Sequence, residues 1–109
     1  KIIGQINNKE KIRLSNEFEK LDPTYEENKI SFSRIIFNDL PEFDKKLILK
    51  NNSEKLSSGT FMENKHLEYI IEKSYSKSNN FSLDLPGPIK LIATKKRITI
   101  EKLFEIDFQ

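Results

Sequence analysis

The spacing of apolar residues is helical up to about Tyr75 and alternates from Phe81 onward. Ile2, Ile3 and Ile6, then Ile12, Leu14, Phe18 and Leu21, recur at loosely helical intervals, and Asp22-Pro23 stops the run. This predicts a helix ending near Leu21, irregular around Gly4 to Asn8. Thr24 to Lys29 is polar throughout and reads as a connector. Ile30-Ser31-Phe32 reads as extended, and Ser33 can cap a short helical turn that carries Ile35, Ile36 and Phe37 into the core.

Leu40-Pro41 opens a second helix, with Pro41 at its first position and Glu42 and Asp44 in its first turn, where the helix dipole favours acids. Its expected apolar side is Phe43, Leu47, Ile48 and Leu56, and Ser57-Ser58-Gly59 ends it. Thr60 and Glu63 have capping-box spacing. A third helix is therefore expected from there, with Leu67, Ile70, Ile71 and Tyr75 as its buried stripe and residues 76–80 as its exit.

The period then becomes two. Phe81, Leu83 and Leu85 alternate with polar residues, Pro86-Gly87-Pro88 turns the chain, and Ile89, Leu91 and Ala93 alternate again. Lys95-Lys96 forms a tight turn before Ile98 and Ile100, and Phe104, Ile106 and Phe108 allow one further strand. The fold class that follows is α+β, a small helical domain packed on a short antiparallel sheet with a hairpin.

Composition sharpens this picture in two respects. At 109 residues the chain fits one domain, and 36% hydrophobic against 33% charged residues imply a modest core under a heavily solvated surface. Without cysteine there is no disulfide framework or thiolate metal site, and no apolar run reaches the roughly 20 residues of a membrane span, so a reducing cytoplasm is expected. The chain begins with Lys rather than Met and reads as a piece of a longer polypeptide.

Charge is distributed unevenly. The chain nets only +2, yet from Lys73 to Arg97 six basic residues (Lys73, Lys77, Lys90, Lys95, Lys96, Arg97) meet a single acid, Asp84. A second basic group, Lys45, Lys46 and Lys50, falls on the second helix. Both clusters are candidates for phosphate contact. Catalytic signatures are missing: there is no glycine-rich phosphate loop and no Cys nucleophile. The one histidine, His66, reads as a partly exposed helix residue beside Glu63 or Glu68. Glu26-Glu27 and Asp84 read as solvated surface, and the Pro-Gly-Pro turn as a stiffened loop.

The order of these parts resembles a known family. DLPEFDKKLILKN, then HLEYIIEKS, then SLDLPGPIKLIATKKRITI is similar to the substrate-binding domain of bacterial tRNA(Ile)-lysidine synthase, over about residues 30 to 101. Leu40-Pro41 matches the start of the family's basic helix. Lys45, Lys46 and Lys50 stand where the family favours Arg, Leu85-Pro86-Gly87 matches its turn, and Arg97-Ile98 stands for its Arg-Leu strand. Leu49 and Asn51 stand where a basic residue and Trp are common, Pro88 replaces a second Gly, and the Arg-rich strand after the turn is reduced to Lys90. These departures move the expected RNA contact toward the hairpin tip.

The resemblance implies a division into residues 1–29, a helical connector from an N-terminal catalytic domain, and residues 30–109, a tRNA-binding domain. It implies candidate tRNA contacts at Lys45, Lys46, Lys50, Lys90, Lys95, Lys96 and Arg97, with no catalytic residue, metal or cofactor in this chain. ATP and Mg would belong to the parent enzyme, a ligase that attaches lysine to the wobble cytidine of an isoleucine tRNA. The partners implied are tRNA and the catalytic domain of the same polypeptide, with no membrane; a homo-oligomer is compatible. Two other readings stay open. Three helices and a hairpin also describe a winged-helix DNA-binding domain, although Glu63, Glu68 and Glu72 would make its third helix a poor reader of DNA. A protein-docking module would use Phe104, Ile106 and Phe108 as an apolar patch.

Overall fold

The computed structural model describes residues 8–57, 62–75, 80–85 and 87–103. The first helix, α1 (Asn8–Glu19), turns Leu14 and Phe18 inward and leaves Ile12 exposed. It tightens at its end through N–H···O bonds from Lys20 to Glu17 and from Leu21 to Phe18. Asp22 then takes a left-handed backbone (φ 55), a conformation that Asp tolerates better than most side chains, and Pro23 prevents any return to helix.

Residues 24–29, expected as a connector, instead form the first strand β1 (Thr24–Glu26) and a turn into β2 (Lys29–Ser33). β1 escapes detection because it lies at a sheet edge with all three residues exposed, so it shows no apolar alternation. Ser33 caps α2 (Arg34–Asn38) as expected, its Oγ accepting from the Ile36 N–H at 3.3 Å. Phe37 enters the core, but Ile35 and Ile36 do not, because so short a helix has one inner face and Arg34 shares it with Phe37.

The long helix α3 (Glu42–Leu56) has Ser57 as its C-cap and Pro41 as its N-cap; Pro41 keeps an extended backbone (ψ 151), so it stands one position before the first helical residue and not at that first position, as expected from the sequence. Ile48 is buried and Leu47 and Leu56 are half-buried, as expected, whereas Phe43 is 64% exposed. The inner face runs instead through Lys45, Ile48, Leu49 and Asn52, which recur at intervals of three and four. Phe43 projects to the opposite side. α4 (Asn64–Tyr75) buries Leu67 and Ile70 and half-buries Ile71, while Tyr75, its last residue, is 71% exposed. The helix starts at Asn64, and the expected cap at Thr60 lies outside the described residues. At the observed start the backbone N–H of Glu63 donates to His66 Nδ1 (3.2 Å), which gives His66 the reciprocal capping role.

The three later strands follow the alternation: β3 (Phe81–Leu85), β4 (Ile89–Ala93) and β5 (Arg97–Lys102). The five strands among the described residues make one antiparallel sheet in the order β1-β2-β5-β4-β3, with the last of them in sequence at its centre. Ile30 and Phe32 of β2, Ile98 and Ile100 of β5, and Ile89, Leu91 and Ala93 of β4 lie on one face and are buried. The helices cover that face, and Phe32 bridges them, its ring 5.6 Å from Phe18 and 5.5 Å from Phe37. Residues on both sides of position 29 thus share one sheet and one core. The apolar residues at 2, 3, 6, 104, 106 and 108 lie outside the described residues.

Candidate nucleic-acid interface

The site starts from the β4–β5 turn. Thr94 and Arg97 close it, with the Thr94 N–H donating to the Arg97 carbonyl (2.9 Å) and the Arg97 N–H donating to Thr94 Oγ1 (3.1 Å). Two carbonyls of the turn are held from inside by Arg34: its backbone N–H donates to Lys96 O (2.9 Å) and its Nη1 to Thr94 O (2.8 Å). Lys95 and Lys96 between them are exposed. A buried guanidinium therefore fixes the backbone of a turn whose two ammonium groups project into solvent.

Arg34 does more than hold the turn. It is 4% exposed, and its Nε and Nη2 donate to the carbonyls of Ser74 and Lys73 at 3.2 Å each. These are terminal carbonyls of α4, which the helix leaves unsatisfied and which favour a cation. The guanidinium also lies 5.4 Å over the Phe81 ring at the start of β3. Asn38 adds a second tie, donating to Ser74 O (2.9 Å) while accepting from Ser74 Oγ (2.7 Å). The end of α4, the start of α2 and the basic turn are locked together.

The other predicted residues separate from one another. Arg97 is half-buried on the open face of the sheet, where its Nε donates to Ser31 Oγ (3.1 Å) and its Nη1 to Asp22 Oδ2 (3.4 Å). Lys90 occupies a row that crosses the whole sheet: Glu26, Lys29, Glu101, Lys90 and Asp84 stand opposite one another in turn, so their charges alternate. Carboxylates on both sides of Lys90 offset its charge locally.

On α3 the three lysines face three surroundings. Lys45 is 7% exposed, and its Nζ lies 6.0 Å from the Phe37 ring centre and 5.6 Å from that of Tyr75. Lys46 Nζ bonds Asn64 Oδ1 (2.9 Å) and pairs with Glu42 (3.2 Å) and Glu68 (3.7 Å). Lys50 is exposed, with no hydrogen bond or ion pair among the described residues. Only Lys50, Lys95 and Lys96 of the seven candidates combine an exposed side chain with no carboxylate partner among the described residues.

The residues that sequence patterning missed are Arg34 and the aromatic neighbours of the lysines. Tyr75 lies exposed beside Lys45, and Tyr69 lies beside Lys73 with the ammonium 5.7 Å from the ring centre. A local signal for Arg34 existed, since the Ser33 cap places it in the first turn of a helix with apolar neighbours. Its partners, however, are distant in sequence. No group of three His, Asp or Glu side chains suited to a metal occurs among the described residues, and His66 Nδ1 is occupied as a cap acceptor.

A groove of about 610 Å³ runs between α1 and α3, walled by Leu14, Phe18, Tyr25, Ile48 and Asn52, and none of the seven basic candidates lines it. Partial burial raises the Tyr25 phenol pKa above its ordinary 10.0, and the Glu19 carboxylate adds to the shift by charge and by hydrogen bonding. No helix among the described residues is long and apolar enough to cross a membrane. In comparisons with known proteins, the chain matches no family model and no curated relative.

Proposed function

We propose that this chain is a tRNA-binding domain of the tRNA(Ile)-lysidine synthase type, gripping the tRNA backbone through the exposed Lys95-Lys96 turn. The observation that carries the reading is the turn itself: two exposed ammonium groups, with no carboxylate partner among the described residues, on a backbone held by the buried Arg34. A fixed backbone under flexible cationic tips suits phosphate, which asks for charge at a set position and no base-specific geometry. Lys50 is a second, separate phosphate contact. Lys45, Lys46, Lys90 and Arg97 act indirectly, by shaping the surface that carries these groups. Chemistry, with ATP and Mg, belongs to another domain of the polypeptide, which attaches lysine to the wobble cytidine, and the setting is cytoplasmic.

The winged-helix reading is weaker. Its DNA-reading element would be α4, where Glu68 and Glu72, with Glu63 just before the helix, are all exposed and would oppose phosphates. A double Lys95→Ala, Lys96→Ala variant tests the proposal in a salt-dependent binding assay with an isoleucine tRNA. Affinity should fall, and the log-log salt slope should shrink by roughly 1.4 to 1.8, two phosphates' worth, with the unfolding midpoint unchanged. Wild-type affinity and slope would show that the turn is only solubilising surface. Equal weakening toward duplex DNA of matched length would return the winged-helix reading.

A further inference from the structure

The sheet has two outer strands, β1 and β3, and the sequence treats their free backbone edges differently. β1 is three residues long, wholly exposed, preceded by Pro23 and followed by Glu27, so it is short and charged in the manner of a protected edge. β3 has five residues, Phe81–Leu85, with no proline, lysine or bulge among them. Its two leading apolar residues, Phe81 and Leu83, are only half-buried, whereas all the apolar residues on the same face of β4 and β5 are buried. Among the described residues β3 pairs only with β4, so this edge has no strand partner on its outer side and its apolar face is unfinished.

The geometry points to a second copy of this chain as the partner: we propose that two copies pair antiparallel through β3, about a two-fold axis at Leu83. That register pairs all five residues. Leu83 meets Leu83 of the other copy, Phe81 meets Leu85, and the apolar side runs on across the junction. On the opposite face the only charge of the strand, Asp84, meets Ser82 of the other copy, a hydroxyl donor. Moving the axis to Asp84 would set two carboxylates against each other, and moving it to Ser82 would leave Leu85 unpaired. Strand addition of this kind draws its affinity from backbone hydrogen bonds and its specificity from such facing side chains. The rival occupant within the chain is Phe104-Glu105-Ile106-Asp107-Phe108, outside the described residues. With its apolar residues on the core side it would put Glu105 and Asp107 on the same face as Asp84, so charge disfavours it.

Ser82 gives a test whose sign depends on the register. Ser82→Lys places an ammonium opposite Asp84 twice per dimer, and Ser82→Asp places a carboxylate there twice. Sedimentation equilibrium of the intact chain should show a dimer that tightens roughly three- to tenfold with Ser82→Lys and loosens by a similar factor with Ser82→Asp. Unfolding midpoints, measured alongside, separate pairing from folding because Ser82 is exposed. A chain that stays monomeric up to about 1 mM, or two variants that shift the equilibrium in the same direction, would overturn the pairing.

Discussion

Arg34 is the residue on which the proposed interface turns, and its side chain, not its charge alone, accounts for that. A guanidinium presents five N–H donors in a fixed planar fork, so one buried group can satisfy Ser74 O, Lys73 O and Thr94 O at once while its flat face lies on Phe81. An ammonium cannot span three carbonyls in that geometry. Arg34→Lys should therefore cost about 2 to 4 kcal/mol, since buried carbonyls lose charged donors. A urea denaturation curve reads this directly, and an unmoved midpoint would mean that the carbonyls find other partners. None of this is visible in Ser-Phe-Ser-Arg-Ile-Ile-Phe, because the partners of Arg34 lie 40 and 60 residues further along. The exposed lysines of the turn were legible for the opposite reason. Their state depends only on a tight hairpin between two alternating strands.

Among the elements, α3 shows where patterning by apolarity stops working. Its inner face includes Asp44, Lys45, Asn52 and Ser53 beside Ile48 and Leu49, so counting apolar residues misplaces Phe43. Most of these polar groups find partners within or across the helices. Arg13 of α1 donates to both Asp44 oxygens (3.0 and 2.9 Å), Asn52 Nδ2 donates to Ile48 O (2.8 Å), and the Lys45 ammonium lies against two rings. Two atoms are exceptions: Asn52 Oδ1 and the Oγ of Ser53, which is 2% exposed, find no partner among the described residues. Ser53→Ala should stabilise the protein by about 1 kcal/mol, from removal of an unpaired buried hydroxyl and from better helix propensity. A lower thermal midpoint would show that this hydroxyl does make a bond. Strands were easier to read than this helix because alternation assigns each residue to one of two faces. The strand β1 escaped for want of a buried face.

At the scale of the whole molecule, one core joins all the helices to one face of the sheet, and Ile70 lies fully buried within it on α4. Ile70→Ala should cost about 2 to 5 kcal/mol, a large share of the 5 to 15 kcal/mol typical of a domain, and the denaturation midpoint measures it. The opposite face of the sheet carries the alternating charge row and serves neither core nor turn. A further consequence follows from the place of β5. Its neighbours are β2, far upstream, and β4, and the Ser31–Thr99 contact closes a loop of 68 residues. Of the strands among the described residues, a ribosome delivers this middle one last. Until residues 97–102 emerge, the β1–β2 and β3–β4 hairpins have nothing to join them, and each shows an unpaired strand where β5 will fit. Assembly of this sheet must then wait until residue 102 has emerged and close over a long sequence separation, which slows its folding and leaves the nascent segment dependent on protection from aggregation.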